Sequence, residues 1–246
     1  MKKVLLMLVV TMPFIFGNCS SDDDEKEFSI NETGLILHSG EKRQLHATEN
    51  AGWDTESNFV AKVDETGLVT GNHVGETYIL ANNGSETAKC KVEVVPVYHT
   101  YETPILEFGV GKSTIKSKET RTLNREEETV LLYNGENKAI LGVAYLFENG
   151  TLGAAAAYIS YSYAEETANF LAERYQVIGQ ENETFYFLNN DLKNTDKADL
   201  GITLSIEKGF LMVLYMPFKN NKNSTCIKSI SPDKSYKEKF RNLFSF

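Results

Sequence analysis

Four groupings in this chain have residue types suited to chemistry, and three of them lack the spacing. Gly109-Val110-Gly111-Lys112-Ser113-Thr114 has the ending of a phosphate-cradling loop. Such a loop needs a glycine where Leu106 stands and a buried strand before it, so nucleotide binding is not expected. His38, His46, His73 and His99 are scattered over strand ends and loops, without a cysteine or paired acid at ligand spacing. They read as surface or structural residues. Glu126-Glu127-Glu128 reads as a solvated charge run. Neither Gly-x-Ser-x-Gly nor His-Glu-x-x-His occurs. The expectation is a protein that is not an enzyme, with no catalytic residue, no metal and no cofactor.

The fourth grouping surrounds Cys19. Lys2 and Lys3 give a short positive start, and Val4 to Phe16 is an apolar run too short to span a bilayer. Phe16-Gly17-Asn18-Cys19 is followed by Ser20-Ser21-Asp22-Asp23-Asp24-Glu25. This arrangement resembles the lipobox of bacterial lipoproteins, departing from it at Phe16 and Asn18, where Leu and a small residue are usual. The resemblance implies a signal peptide over residues 1–18, diacylation of the Cys19 sulfur and a third, palmitate-like chain on the new N-terminus. Each buried CH₂ contributes about 0.8 kcal/mol, so one acyl chain anchors marginally and two or more hold firmly. The acidic tether, residues 19–27, is similar to the export signal of Bacteroidota-type surface lipoproteins. That implies a lipid-anchored outer-membrane protein exposed at the cell surface.

Removing Lys2 and Lys3 makes the formal charge of −9 more negative still. An acidic surface argues against nucleic acid as partner. Of the three cysteines, Cys90 falls on the buried side of Ala88-Lys89-Cys90-Lys91-Val92-Glu93-Val94, and Cys226 lies far away in a lysine-rich tail. Both are expected to be unpaired thiols.

Residues 28–96 break into short alternating stretches separated by Gly, Asn and Asp turns, the pattern of a small all-β sandwich. Leu37-x-x-Gly40, Leu45-x-Ala47, Trp53, Val60-Ala61-x-Val63-Asp64-x-x-Gly67-x-Val69-Thr70-Gly71-x-x-x-Gly75 and Ile79-x-Ala81 resemble the bacterial Ig-like group 2 (BIG2) domain. Its members are mostly spacers and adhesive modules of surface proteins, which implies display and cell adhesion without naming a ligand. Asp64 is placed to fold its side chain onto backbone two residues on, and Gly67 to supply φ > 0. Trp53 is expected to pack between the sheets.

Pro96 and Pro104 bracket a linker, after which the period changes. Residues 97–219 read twice as helix, strand, hairpin. Leu141-Gly142 with the turn Glu148-Asn149-Gly150 matches Leu200-Gly201 with Glu207-Lys208-Gly209. A polar helix is expected over 111–121. An amphipathic one is expected over 163–175, with Ala164, Ala168, Leu171 and Tyr175 on its apolar side. The fold class is therefore an Ig-like sandwich followed by an α+β repeat domain, two helices on an antiparallel sheet of about six strands. That topology is similar to small helix-on-sheet domains of secreted inhibitors and envelope lipoproteins. Residues 220–246 form a basic tail, with Tyr236, Phe240, Leu243 and Phe244 on one side of a helix that either docks on the body or meets a partner.

The function expected is a binding or adhesion module for a protein or glycan, with an inhibitor of a hydrolase as the first alternative and an enzyme ranked last. Tyr161 and Tyr163, clustered with Tyr158 before the second helix, are the candidate binding residues. They are expected on the sheet face that the helices leave open or on its edge loops. Cys19→Ala should release the protein from the outer-membrane fraction. Its retention there would exclude a lipid anchor.

Overall fold

The computed structural model describes residues 27–207, 209–219, 230, 239–241 and 243. The expected signal peptide, Cys19, most of the acidic tether, Cys226 and most of the basic tail lie outside them.

Among the described residues, the first part of the chain contains β1 (Gly34–Leu37), β2 (Lys42–Gln44), β3 (Gly52–Thr55), β4 (Ala61–Val63), β5 (Leu68–Gly71), β6 (Gly75–Asn82) and β7 (Thr87–Val94). Alternation decides which side is buried: Thr77, Ile79 and Ala81 on β6, then Cys90, Val92 and Val94 on β7. A four-stranded sheet, β1-β7-β6-β3, and a three-stranded one, β2-β5-β4, share one core that includes Leu37, Leu45, Ala61, Val69, Ile79 and Val92. Cys90 is a free, fully buried thiol, and burial pushes its pKa up to about 11.

The turn between β4 and β5 has the expected chemistry. Asp64 Oδ1 accepts from the Thr66 amide at 2.9 Å, the Thr66 hydroxyl at 2.6 Å and the Leu68 amide at 3.1 Å. The Thr66 hydroxyl in particular holds this carboxyl below its ordinary pKa. Gly67 has φ +84°, and a Cβ there would lie 2.7 Å from the Leu45 carbonyl and 2.9 Å from the Trp53 ring. Trp53 is half-buried at the margin of the core and roofs this turn.

The second part contains α1 (Lys112–Lys118), β8 (Leu123–Glu126), β9 (Val130–Asn134), β10 (Ile140–Glu148) and β11 (Thr151–Ser160). A 3₁₀ turn (Tyr161–Tyr163) leads into α2 (Ala164–Ala172), followed by β12 (Gln176–Glu181), β13 (Thr184–Leu188), β14 (Leu200–Glu207) and β15 (Phe210–Pro217). One sheet holds them in the order β12-β13-β14-β15-β11-β10-β9-β8. Each helix precedes a four-stranded meander, and the two meanders meet where β11 runs antiparallel to β15. Gly150 (φ +81°) and Gly209 (φ +89°) occupy the two-residue turns of the hairpins β10–β11 and β14–β15.

The sheet has eight strands where about six are expected from sequence. The two extra strands are its edges. β8 is exposed throughout and β12 is at most half-buried, so neither carries an alternating apolar signal. Of the apolar side expected on α2, Leu171 is buried and Ala164 and Tyr175 pack on the core, but Ala168 does not. Thr167, Phe170 and Leu171 are buried while Ala168 is exposed, because the large Phe170 ring gains more by burial than a single methyl group.

Both faces of this sheet are covered, which corrects the expectation of an open one. On the helix side, Leu131, Val143, Tyr145, Ala157, Val213 and Tyr215 pack with Ile115, Phe170 and Leu171. On the other side, Ala144, Ala154, Ala156, Tyr158, Met212 and Leu214 are buried together with Phe240 from the tail. The Tyr158 hydroxyl donates to the Phe240 carbonyl at 2.8 Å, and Arg241 pairs with Glu207 at 2.8 Å. Ile230 lies over Gly201, where a Cβ would meet its side chain at 3.1 Å. The physical reason is legible in the strands. β10, β11, β14 and β15 are near-continuous apolar runs, and a strand apolar on both sides needs two covers. No helix among the described residues is long and apolar enough to cross a membrane.

Gly67→Ala should cost about 2–4 kcal/mol, combining a left-handed backbone with a steric clash. Gly40→Ala, also at positive φ but with nothing within 4 Å, should cost about 1 kcal/mol. Urea unfolding followed by Trp53 fluorescence compares them, and equal losses would remove the close packing at Gly67. Phe240→Ala should cost about 3 kcal/mol because its side chain is wholly buried. A loss below about 0.5 kcal/mol would mean that the tail does not cover the sheet.

Candidate binding groove

Three chain segments meet beside the start of α2, each held by polar contacts that burial strengthens. The first is the linker after β7. Glu173, at the C-terminal end of α2, is only 6% exposed. Its carboxylate accepts from the Val97 amide at 2.9 Å and the Tyr98 amide at 3.1 Å. Arg174 pairs with that carboxylate, donates to the Tyr98 carbonyl at 3.0 Å, and lies 3.8 Å over the Phe170 ring. Deeper in, the Tyr101 and Tyr215 hydroxyls share a hydrogen bond of 2.5 Å, and burial raises both pKa values.

A second ionic group pins the far end of the linker. Arg121, with its side chain 4% exposed, pairs with Glu136 at 2.6 Å and Glu119 at 3.1 Å. Burial by itself would lower its pKa, but Glu136 and then Glu119 outweigh this and raise it. Glu136 also accepts the Glu102 amide at 2.8 Å. The Tyr145 hydroxyl donates to Glu119 and accepts from the Ile105 amide at 3.0 Å.

The second segment is the β9–β10 loop. Asn137 Oδ1 accepts from the Ala139 amide at 2.7 Å and the Ile140 amide at 3.2 Å, and its Nδ2 donates to the Thr100 carbonyl at 3.1 Å. The third is the 3₁₀ turn and first turn of α2. There the Thr167 hydroxyl donates to the Tyr163 carbonyl at 2.7 Å and the Thr100 hydroxyl donates to the Glu166 carbonyl at 3.4 Å.

Between these segments lie two shallow grooves. One, of about 470 Å³, is lined by Tyr98, Ser162, Tyr163, Glu165, Glu166 and Asn169. The other, of about 310 Å³, is lined by His99, Thr100, Asn137, Lys138, Ala139, Tyr163 and Glu166. Tyr163 and Glu166 border both. Tyr163 is half-buried and packs on the helix-side core, while Tyr161 is 55% exposed on the same turn. Neither tyrosine stands on the sheet face opposite the helices. Tyr158, which sequence groups with them, is on that opposite face beneath Phe240. Tyr98, His99, Lys138, Glu166 and Asn169 are not evident from sequence. The bracketing Pro96 and Pro104 mark the linker, but its proximity to α2 is a tertiary fact.

A separate groove of about 400 Å³ runs along the seam between the first sheets and the β13–β14 connection, lined by Asn58, Lys62, Gln176, Asp191, Leu192, Lys193 and Asn194. Asp191 is spent on its own turn, accepting from the Lys193 amide at 2.8 Å and the Asn194 amide at 2.9 Å. Nearby, His73 stacks on Phe59 at 4.2 Å and contacts the Phe59 carbonyl through Nδ1 at 2.8 Å. Burial lowers its pKa below 6.5.

The remaining candidates are structural. Gly109 donates to the Leu152 carbonyl, whose residue donates back to Val110, and the Lys112 amine is taken up by the Glu127 carbonyl. Glu126 and Glu127 form exposed ion pairs with Lys116 and Arg125. Among the described residues, no three His, Cys, Asp or Glu side chains are grouped to hold a metal ion.

No protein-family model matches the chain, and no curated protein matches it. Among solved structures, domains 5-6 of the S-layer protein SbsC are 14% identical, covering 79% of this chain and 85% of that one, with a TM-score of 0.24. A structure of domains 1-6 of the surface layer protein SbsC is 12% identical, covering 78% and 21%, with the same TM-score. Likeness at that level carries no argument about fold or function.

Because burial depresses His73, the unfolded chain binds more protons than the folded one between the depressed value and 6.5. Stability from this residue is full above pH 6.5 and declines as pH falls. His73→Gln should flatten the difference between urea midpoints measured at pH 5.5 and 7.5. An unchanged difference would remove His73 as its source.

Proposed function

We propose that this protein is a lipid-anchored surface lipoprotein whose second domain, residues 97–219, is a binding or adhesion module for a protein or glycan. The first domain, residues 28–96, serves as its BIG2-type stem. The observation that carries this reading is the pair of grooves sharing Tyr163. They are shallow, the larger walled by the linker and the start of α2 and the smaller by these and the β9–β10 loop, and the Glu173–Arg174 pair with the hydrogen bonds of Asn137 and Thr100 fixes those walls in advance. Their volumes fall within the range of about 300–1,000 Å³ usual for small-ligand sites. Preorganisation of this kind lowers the ordering cost of binding.

The stem reading draws on the Val60-Ala61-x-Val63-Asp64-x-x-Gly67 stretch, whose turn closes the β4–β5 hairpin of the three-stranded sheet against Trp53. The anchoring reading draws on Cys19 and the acidic residues after it. An outer-membrane position at the cell surface follows from those two together. The module is non-catalytic in this reading. A hydrolase inhibitor of helix-on-sheet type would need the sheet face that Phe240 and Ile230 occupy, which favours the groove.

Tyr161→Ala should weaken ligand binding by about 1 kcal/mol with no change in melting temperature, since the side chain is mostly exposed. Tyr163→Ala should weaken it by about 1–2 kcal/mol and also lower the melting temperature, because this ring packs on the core. The mature chain, tested on glycan arrays and immobilised extracellular proteins, provides the measurement. Equal binding by wild type and both variants would remove the groove as the site.

A further inference from the structure

Resting on the groove as the binding site, we infer that its ligand is a short uncharged saccharide chain lying through both grooves across Tyr163. A sugar ring offers two surfaces. Its C–H face packs on an aromatic ring, and its rim of hydroxyls needs acceptors and donors close by. Tyr163 borders both grooves, so one ring can supply the apolar contact to successive sugars. Glu166 borders both as well and accepts hydroxyl protons from either side. Asn169 offers an acceptor and two donors in the larger groove, and Lys138 offers donors in the smaller.

Charge selects among glycans. The larger groove carries two carboxylates, Glu165 and Glu166, and no lysine or arginine. The chain as a whole has a formal charge of −9. In the larger groove a sulfated or uronic-acid sugar would set like charges side by side. A protein epitope fits less well, because its interface core needs a broad apolar patch. Of the residues bordering these grooves and the adjoining turn, only Tyr161 is a large apolar side chain standing clear of the surface. The walls stay put when the ligand leaves, since Tyr98 is held at its amide by Glu173 and at its carbonyl by Arg174.

The test is titration calorimetry of the full mature chain with maltotriose, cellotriose, mannotriose and triacetylchitotriose, beside a sulfated heparin tetrasaccharide. At least one neutral trisaccharide should bind, and the sulfated probe should not. Glu166→Gln and Tyr163→Leu, each titrated at a temperature where circular dichroism shows it fully folded, separate folding from binding. Glu166→Gln should weaken binding about tenfold, as expected when a charged acceptor is lost. Tyr163→Leu should weaken binding about tenfold, because the ring face is lost. Tighter binding of the sulfated probe, or no neutral probe binding at about 10 mM, overturns the saccharide assignment. If a deglycosylated extracellular protein then binds with dependence on Tyr161, the binding-module reading stands without the sugar. If that protein also fails to bind, both readings fall.

Discussion

Glu173 sits at the last turn of α2, out of water, with two backbone amides of the crossing linker pointed at its carboxylate. A buried carboxylate is tolerable only when its charge is matched and its oxygens are occupied, and Arg174 with those amides does both. The Glu173 carbonyl also accepts the Val74 amide from the first part of the chain, at 2.7 Å. One residue thus ties the loop before β6, the linker and α2 together. Losing the carboxylate would leave two part-buried amides without this acceptor and Arg174 without its charge partner. The position of Tyr98, and so the wall of the larger groove, depends on this contact.

The eight-stranded sheet sets a different constraint. Its central strands are apolar on both sides, so it is stable only as the middle of three layers. Helices and linker supply one outer layer. Ile230, Phe240 and Leu243 of the tail contribute to the other. With both faces filled, what is left for recognition is the rim where loops, linker and helix start converge. The two grooves lie on that rim.

The rim is polar and anchored. Asn137, Thr100 and Thr167 spend their side chains on backbone groups, which fixes the loop geometry. Tyr161, Glu165 and Lys138 stay exposed. Structural and recognition roles are divided between neighbouring residues. Glu166 shows both: its carbonyl is held by Thr100 while the residue borders both grooves.

Local patterns sufficed where local forces decide. Cys90, Val92 and Val94 alternate with charged residues and so had to face one core. Asp64 and Gly67 specify their turn through a side-chain acceptor and a missing Cβ. Gly150 and Gly209 do the same for two hairpins. The edge strands β8 and β12 were not legible, because an edge buries too little to leave a period. On α2, Leu171 faces the core as its spacing implies, but Phe170 and not Ala168 is buried beside it, and that depends on the space beneath the helix. The tail's docking and the grooves at Tyr163 were decided only by tertiary structure. Each joins residues far apart in the chain, Phe240 to Tyr158 and Tyr98 to Glu173, and no local spacing encodes which distant surface will need covering.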